Sequence, residues 1–460
     1  MIRISSDRFT RASVATIAIL AVLCGAFVVL NFVHGPKLES AQVDLARVVA
    51  APAQQLRLFA NQPLAEVEPA QVTIEPAAAF TVSVSAEVVA VQFTGPLEYN
   101  TDYRVTIDGV TNTFDDQAST LDYGFRTGAP RLYYLDRGAT DQVVSTSLAG
   151  TGRTVVFESP GIQDFVRVGE LLVVVLTGEN DAGDPVSSLR LVSLTDGGVE
   201  TLYLPGDATV DELHATDAAS ILGFTLTTAG DPLDGEYDHT LFTVDLAAGR
   251  SVLPLAGLDG SPLEATRWLF VPGTTTVVAQ TPDDSVVMLD ASVADAAVTP
   301  LGQFETLAGV SPDGSVLTVT DRYGPIALDL ATTGQTRLPP SHFEGAAPYG
   351  GDALALPDGS RLQHIAVFDD ETGRFAAYLV LDDGESSRVL YRTVDDEGEI
   401  GHFSLSPNGQ FVAIEVVPDV SARQSDGYPV NARATTVTTV IVNVATGALV
   451  RSLDGFALAF

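Results

Sequence analysis

Cysteine is all but missing from this chain. Cys24 is the only one in 460 residues, and it sits inside an apolar stretch near the N-terminus. The rest of the sequence can therefore form no internal disulfide and no cysteine-based metal site. A body this long buries enough surface to do without covalent staples. Lysine is nearly absent too, so arginine carries the positive charge, and 24 basic residues face 59 acidic ones for a formal charge of -35. A field of that sign repels phosphate backbones, which excludes nucleic acid as a partner. It equally opposes electrostatic adhesion of the body to anionic lipid. The plain reading of the excess is solubility, with Asp and Glu in turns and on solvent-facing strand positions.

Catalytic signatures are missing as well. The histidines (His34, His214, His239, His342, His364 and His402) are scattered, and none pairs at i,i+4. There is no HExxH, no GxSxG nucleophile elbow, no P-loop, no dinucleotide fingerprint and no CxxC. A lone histidine in a β-rich chain is more often an ordinary strand or loop residue than a ligand. No residue is therefore assigned a catalytic or metal-ligating role, and binding residues stay unassigned. Acidic clusters come nearest to a site: Asp369-Asp370-Glu371, Asp382-Asp383-Gly384-Glu385, Asp395-Asp396-Glu397, and the run from Asp231 to His239. Calcium takes six to eight oxygens from such carboxylates, but none of these runs has the spaced D-x-[DN]-x-[DN]-G loop. Asp-Gly links also build hairpin turns. The turn reading is preferred, no cofactor is assigned, and calcium is kept as the alternative.

Long hydrophobic runs are rare, with one exception. From Val14 to Val33 the chain reads VATIAILAVLCGAFVVLNFV without a charge, about the length that crosses a bilayer core as a helix. A cleavable signal peptide would have a shorter apolar region and a small-x-small site, whereas His34, Gly35 and Pro36 follow here. Leu23 and Ala21 do not fit a lipobox around Cys24. Arg3, Arg8 and Arg11 precede the run and Lys37 alone soon follows it, which by the positive-inside rule leaves the N-terminus cytoplasmic. The expectation is a cytoplasmic tail (1–13), a single transmembrane anchor (14–33) and an extracytoplasmic body.

After a connector (34–52), short alternating runs follow: QLRLFA, QVTIEP, FTVSVSA, VVAVQF, DYRVTID and LDYGFRT. Period-two alternation bounded by Pro, Gly and Asn predicts half-buried strands, enough for a small sandwich over 53–128. Pro63, the VTIEP run ending at Pro76, the PLEYNTDYRVTIDGV run from Pro96 to Val110, and YGFRTG from Tyr123 to Gly128 resemble the bacterial Ig-like domains of the SbsA type. That resemblance implies a spacer or adhesive module. No Cys…Trp…Cys framework is present.

From residue 129 to the end the texture becomes a repeat. The unit from Phe304 to Pro339 and the unit resuming at VTTVIVNVATGALVRSL share one grammar: a strand, a Ser-Pro-Asp/Asn-Gly turn, a second strand, a third ending Asp-Leu or Asn-Val, a Gly turn, and a fourth. Pro suits the second position of such a turn, and Gly at the fourth accepts the left-handed conformation. Ser311-Pro312-Asp313-Gly314 and Ser406-Pro407-Asn408-Gly409 are chemically one turn, and Leu356-Pro357-Asp358-Gly359 is a weaker copy. Four strands per roughly 40 to 50 residues is the period of a β-propeller blade. The count is about seven, with six or eight also open. RLYYLD lacks an inner partner, and the terminal FALAF lacks an outer one, so the ring closes if the C-terminal strand completes the first blade. The SPDG turns and IxxxDLxTG strands resemble the TolB-like propeller family, which implies the fold and leaves activity open.

Trp268 in RWLFVPG is expected on an inner strand, as core rather than platform. Tyr133 and Tyr134 alternate faces, which predicts one buried and one accessible. The fold class is thus all-β: an N-terminal transmembrane helix, a small Ig-like β-sandwich, then a propeller of about seven blades closed by the C-terminal strand. The expected function is a membrane-anchored binding or scaffold protein of the cell envelope, not an enzyme, whose propeller takes an envelope protein or cell-wall glycan. The alternatives are a carboxylate-based glycan-active enzyme, marked by carboxylates converging with an Arg or Tyr in one mouth, and a passive surface-layer protein.

Overall fold

A computed structural model describes residues 13–23, 35–114, 116–230, 236–294, 296–343, 348–369, 373–394 and 397–460. The expected anchor does not hold. Helix covers residues 13–23, which at 1.5 Å per residue reaches about 16 Å, half of a hydrocarbon core. Among the described residues no helix is long and apolar enough to cross a membrane. Residues 24–33 of the expected span, with Cys24, lie outside the described residues. The single-pass anchor, the topology drawn from it and the membrane contact through that helix are accordingly set aside.

The chain divides into two compact units, one of residues 1–48 and 53–128, the other of 49–52 and 129–460. In the first, Leu38–Gln42, Gln55–Ala60, Val88–Phe93 and Phe80–Ser85 form a four-stranded sheet in that order. Val72–Glu75, Asp102–Val110 and Ser119–Arg126 form a three-stranded one. The stretch read as a connector thus supplies an edge strand. Alternation does the sorting: Leu56, Leu58, Val89, Val91, Val105, Ile107 and Leu121 are fully buried. Phe93 and Phe125 meet across the two sheets with ring centroids 6.5 Å apart.

The second unit is a β-propeller of seven four-stranded antiparallel sheets. Six blades run inner to outer in chain order and start at Ile162–Val168, Ala208–Thr216, Arg267–Phe270, Thr306–Val310, Tyr349–Ala355 and Glu399–Leu405 (blades 2 to 7). Blade 1 takes its inner strand from the C-terminus. Phe456–Ala459 pairs antiparallel with Arg131–Asp136, placing Phe456 opposite Leu135 and Ala459 opposite Tyr133. The ring therefore closes as the repeat predicted, and two sheet edges are hidden.

The turns between first and second strands behave as one motif. Ser311 Oγ lies 2.7 Å from Asp313 Oδ1 and accepts from Val316 N–H at 2.9 Å, while Gly314 N–H returns to Ser311 O at 2.9 Å. Ser406, Asn408, Phe411 and Gly409 repeat this at 2.8, 3.0 and 2.8 Å. Gly314 and Gly409 hold φ of 76° and 69°, where a Cβ would be strained. Both serines are fully buried, so the hydroxyl satisfies backbone groups that water does not reach.

Trp268 is 1% exposed and packs against Gly223, where an added Cβ would lie 2.3 Å from the ring. Tyr133 and Tyr134 are both 4% exposed, contrary to the alternation argument. Their strand is the second of its blade, so both of its faces are covered by neighbouring blades.

Candidate functional site

Six of the seven inner strands break register against their second strands. The breaks fall between Phe456 and Ala459, Ile162 and Asp164, Asp211 and His214, Leu307 and Gly309, Gly350 and Ala353, and Ile400 and His402. A bulge bends its strand and re-aims a side chain. The residues in or beside these bulges include Asp164, Glu212, Asp352 and His402, and Arg267 joins them from the regular strand of blade 4. Five blades, counting Arg433 and Glu415 of blade 7, thereby bring charge to the axis. Asp164 feels Arg433, His214 and Asp211; Glu212 feels His214 and Arg267; His402 feels Glu415, Arg433, Arg267 and Asp352.

Enclosure by the strands shapes how these groups titrate. Burial pushes the Asp164 carboxyl up to about 6, and the Phe165 N–H at 2.8 Å and the Arg433 charge only partly offset it. Burial works the same way on Glu212, but His214, Arg267 and the Trp268 backbone outweigh it and hold the carboxyl below its ordinary value. Burial lowers His402 against the pull of Glu415. Trp268 donates its Nε1–H to Glu212 O at 2.9 Å and meets His214 edge-on at 4.9 Å. The sequence reading had placed that Trp correctly but left His214 and His402 as ordinary strand residues. They are strand residues, and they face the axis.

A long loop, residues 418–437, joins the second and third strands of blade 7 and straps the ring together. Asp426 N–H bonds Arg433 O at 2.9 Å and Thr435 N–H bonds Gln424 O at 2.8 Å, making a small ladder. Its tip reaches other blades. Asn431 donates to Asp211, Asp426 pairs with Arg137, and Tyr428 OH donates to Asp141. The Arg137 guanidinium lies 3.6 Å over the Tyr428 ring and bonds Ile162 O at 2.9 Å. Nearer its base, Arg433 pairs with Glu415 at 2.9 Å and Arg423 with Glu399 at 2.9 Å. Glu415 also accepts the Ala457 N–H at 2.8 Å, tying blade 7 to the terminal strand.

A cavity of about 260 Å³ lies between blades 4 and 7. Arg267, Asp352 and His402 line it, together with Ala308, Val310, Leu354 and Leu405, and Pro312 and Pro407 of the two matching turns. Blade 6 carries a different feature. Tyr349, Phe368 and Phe375 stand on three adjacent strands, 65%, 47% and 50% exposed, yet the first two both pack on Phe375. Ring centroids are 5.5 Å apart for Tyr349 with Phe375 and 5.1 Å for Phe368 with Phe375.

The acidic clusters go elsewhere. Asp382 is buried against Arg361 at 3.1 Å, and Asp383 accepts from the N–H groups of Glu385 and Ser386 at 2.9 and 2.7 Å. Glu397 pairs with Arg374 on the surface at 2.9 Å. Asp370, Glu371, Asp395, Asp396 and residues 231–235 lie outside the described residues. Among the described residues no three His, Cys, Asp or Glu side chains are grouped to hold a metal.

No family model matches the chain, and no curated protein matches it. Solved structures do. A quinoprotein alcohol dehydrogenase-like protein from Bacteroides thetaiotaomicron is 9% identical with a TM-score of 0.44, covering 92% of this chain and 99% of its own. A dihydro-heme d1 dehydrogenase is 13% identical at 0.42, covering 72% and 74%. An oligogalacturonate lyase in complex with manganese is 12% identical at 0.41, covering 83% and 94%. The propeller assignment rests on the strand pairing described above, and activity is not carried over from proteins this distant.

Proposed function

We propose that this chain is a binding or scaffold protein that presents its propeller to a macromolecular partner, protein or glycan, with the aromatic ledge of blade 6 as anchor. The carrying observation is the trio of Tyr349, Phe368 and Phe375, which leave large rings in water while Tyr349 packs edge-on and Phe368 at a tilt against Phe375. Folding gains nothing from that exposure, whereas contiguous exposed apolar surface marks interaction sites. Rigid aromatic anchors supply a large share of binding energy at low entropic cost. The charge of -35 disfavours an anionic partner and suits a neutral glycan or a basic protein face.

The axial charges support binding over catalysis, because most are consumed by structure: Glu415 with Arg433, Asp426 with Arg137, Asp211 with Asn431. A carboxylate-based glycan-active enzyme is the second reading, favoured by Asp164, whose raised pKa beside Asp211 is the environment of a general acid. The test is crosslinking in intact cells and pulldown of the wild type beside a Tyr349→Ala, Phe375→Ala double variant. A reproducible partner set that the variant loses supports the reading. An identical set from both, or recovery of the chain alone, removes it. Turnover of neutral oligosaccharides that is lost in Asp164→Asn would move the assignment to the enzyme.

A further inference from the structure

The loop of residues 418–437 lies on the ring with almost no apolar anchorage. Of its residues Ala434 alone is buried, whereas the strand that leads into it, Phe411–Val417, is buried at every position. Its outer part, 424–435, is a small hairpin with bonds of its own. Ser425 bridges Ala434, and the ladder of Asp426 with Arg433 and Thr435 with Gln424 is internal. Side chains hold that hairpin down: Asp426 and Tyr428 on Arg137, Tyr428 also on Asp141, Asn431 on Asp211, and Arg433 on Glu415. Among the described residues no backbone–backbone hydrogen bond joins it to a blade. The seat is incompletely matched as well. Arg137 Nε and Gln163 Oε1 are buried without a hydrogen-bond partner among the described residues, which costs free energy in the closed arrangement.

What lies beneath is polar and open. Asp211, Glu212 and His214 belong to one bulge of the blade 3 inner strand, and Asp164 of blade 2 feels both Asp211 and His214. Glu212 and His214 stay partly exposed although they face the axis, so this end of the axis is a chamber and not packed core. The ring does not need the loop in order to close, because Phe456–Ala459 pairs with Arg131–Asp136. An element with little apolar burial and a solvent-exposed backbone belongs to the part of a fold that opens locally. We propose that hairpin 424–435 is a lid on the axial chamber. It swings as a unit about residues 418–423 and 436–437 and releases Arg137, Asp141 and Asp211. Its open state admits small solutes to Asp164, Glu212 and His214 while the blades stay folded. The lid stands whether the chamber binds or reacts, and it is separate from the ledge of blade 6.

Modification of the full chain by diethyl pyrocarbonate, followed histidine by histidine by mass spectrometry, tests this. His214 and His239 are matched probes: their side chains are 41% and 53% exposed, and each lies beside a carboxylate, Glu212 and Asp238. A lid that is open about 0.1–10% of the time slows His214 relative to His239 about ten- to a thousandfold. Tyr428→Phe combined with Asn431→Gly removes two of the contacts, the glycine accepting the φ of 53° that Asn431 holds. That variant brings His214 most of the way to the rate of His239, with an unchanged melting midpoint by circular dichroism. A second variant, with residues 425–434 replaced by a two-residue Asn-Gly turn, stays folded and removes the difference. Equal rates in the wild type would show the chamber open without the lid and overturn the proposal. So would a slow His214 in both variants. Faster modification accompanied by a lower midpoint would also overturn it, because the loop would then be a fastening of the ring.

Discussion

Asp164 shows how an ordinary residue becomes unusual through placement. Its sequence neighbourhood, IQDFVRV, reads as any strand. What changes it is the bulge beside Gln163 and the closure of other blades around the axis. Folding raises its pKa from 3.8 to about 6, so the native state holds the proton more tightly than the unfolded chain does. The stability this contributes is complete below about pH 3.8 and is lost as pH rises through 6. At pH 7 the native protein carries a desolvated charge that an amide would not. Asp164→Asn should therefore melt higher than the wild type at pH 7, and the gap should close by about pH 4, both read by circular dichroism. A gap of constant size across that range would mean the carboxyl is not desolvated. None of this was legible in the sequence, because Asp164, Glu212, Arg267, Asp352 and His402 are separated by whole blades and only ring closure assembles them. The missed signal was faint: a polar residue interrupting the inner strands of blades 2, 3, 6 and 7.

Elements were far more legible than sites. A Ser-Pro-Asp-Gly turn carries its own geometry, since the serine and aspartate satisfy local N–H groups and the glycine takes a positive φ that other residues resist. Alternation then sets the strands between such turns. Loop 418–437 escaped because its contacts reach to Arg137, Asp141 and Asp211, which no local pattern encodes. The edge strand Leu38–Gln42 escaped because its exposed face shows little alternation. The apolar run at the N-terminus misled in the other direction, since composition alone suggested a span that the described helix does not reach. Ring closure gives the element-scale prediction. Phe456 is 4% exposed, packs in the cluster with Leu135 and Val143, and lies under Arg137 at 4.8 Å. Phe456→Ala should cost about 3–5 kcal/mol in urea unfolding. Deleting residues 456–460 should do more, uncovering the edge of Arg131–Asp136 and producing dimers or larger species by light scattering. A monomeric deletion with an unchanged midpoint would show that the terminal strand does not close the ring.

For the molecule as a whole, charge is the dominant long-range term. The surface ion pairs, such as Arg104 with Asp122 at 2.7 Å and Arg374 with Glu397 at 2.9 Å, are exposed on both sides. Each is worth about 0–1 kcal/mol, and they cannot offset the self-repulsion of a formal charge of -35 packed into one folded chain. Salt acts on the two terms in opposite directions: screening weakens the pairs and relieves the repulsion. Raising the concentration from about 0.01 M to 1 M shortens the screening distance from about 30 Å to about 3 Å. If repulsion dominates, the melting midpoint at pH 7 rises with sodium chloride, a salt preferred here because sulfate would strengthen apolar burial by itself. The same titration near the sequence pI of about 4.2 supplies the control, because net repulsion vanishes there and the rise should vanish with it. A midpoint that falls with salt at pH 7 would assign the larger share to the ion pairs. A rise of equal size at both pH values would assign it to salt acting on apolar surface, and the charge argument would fail.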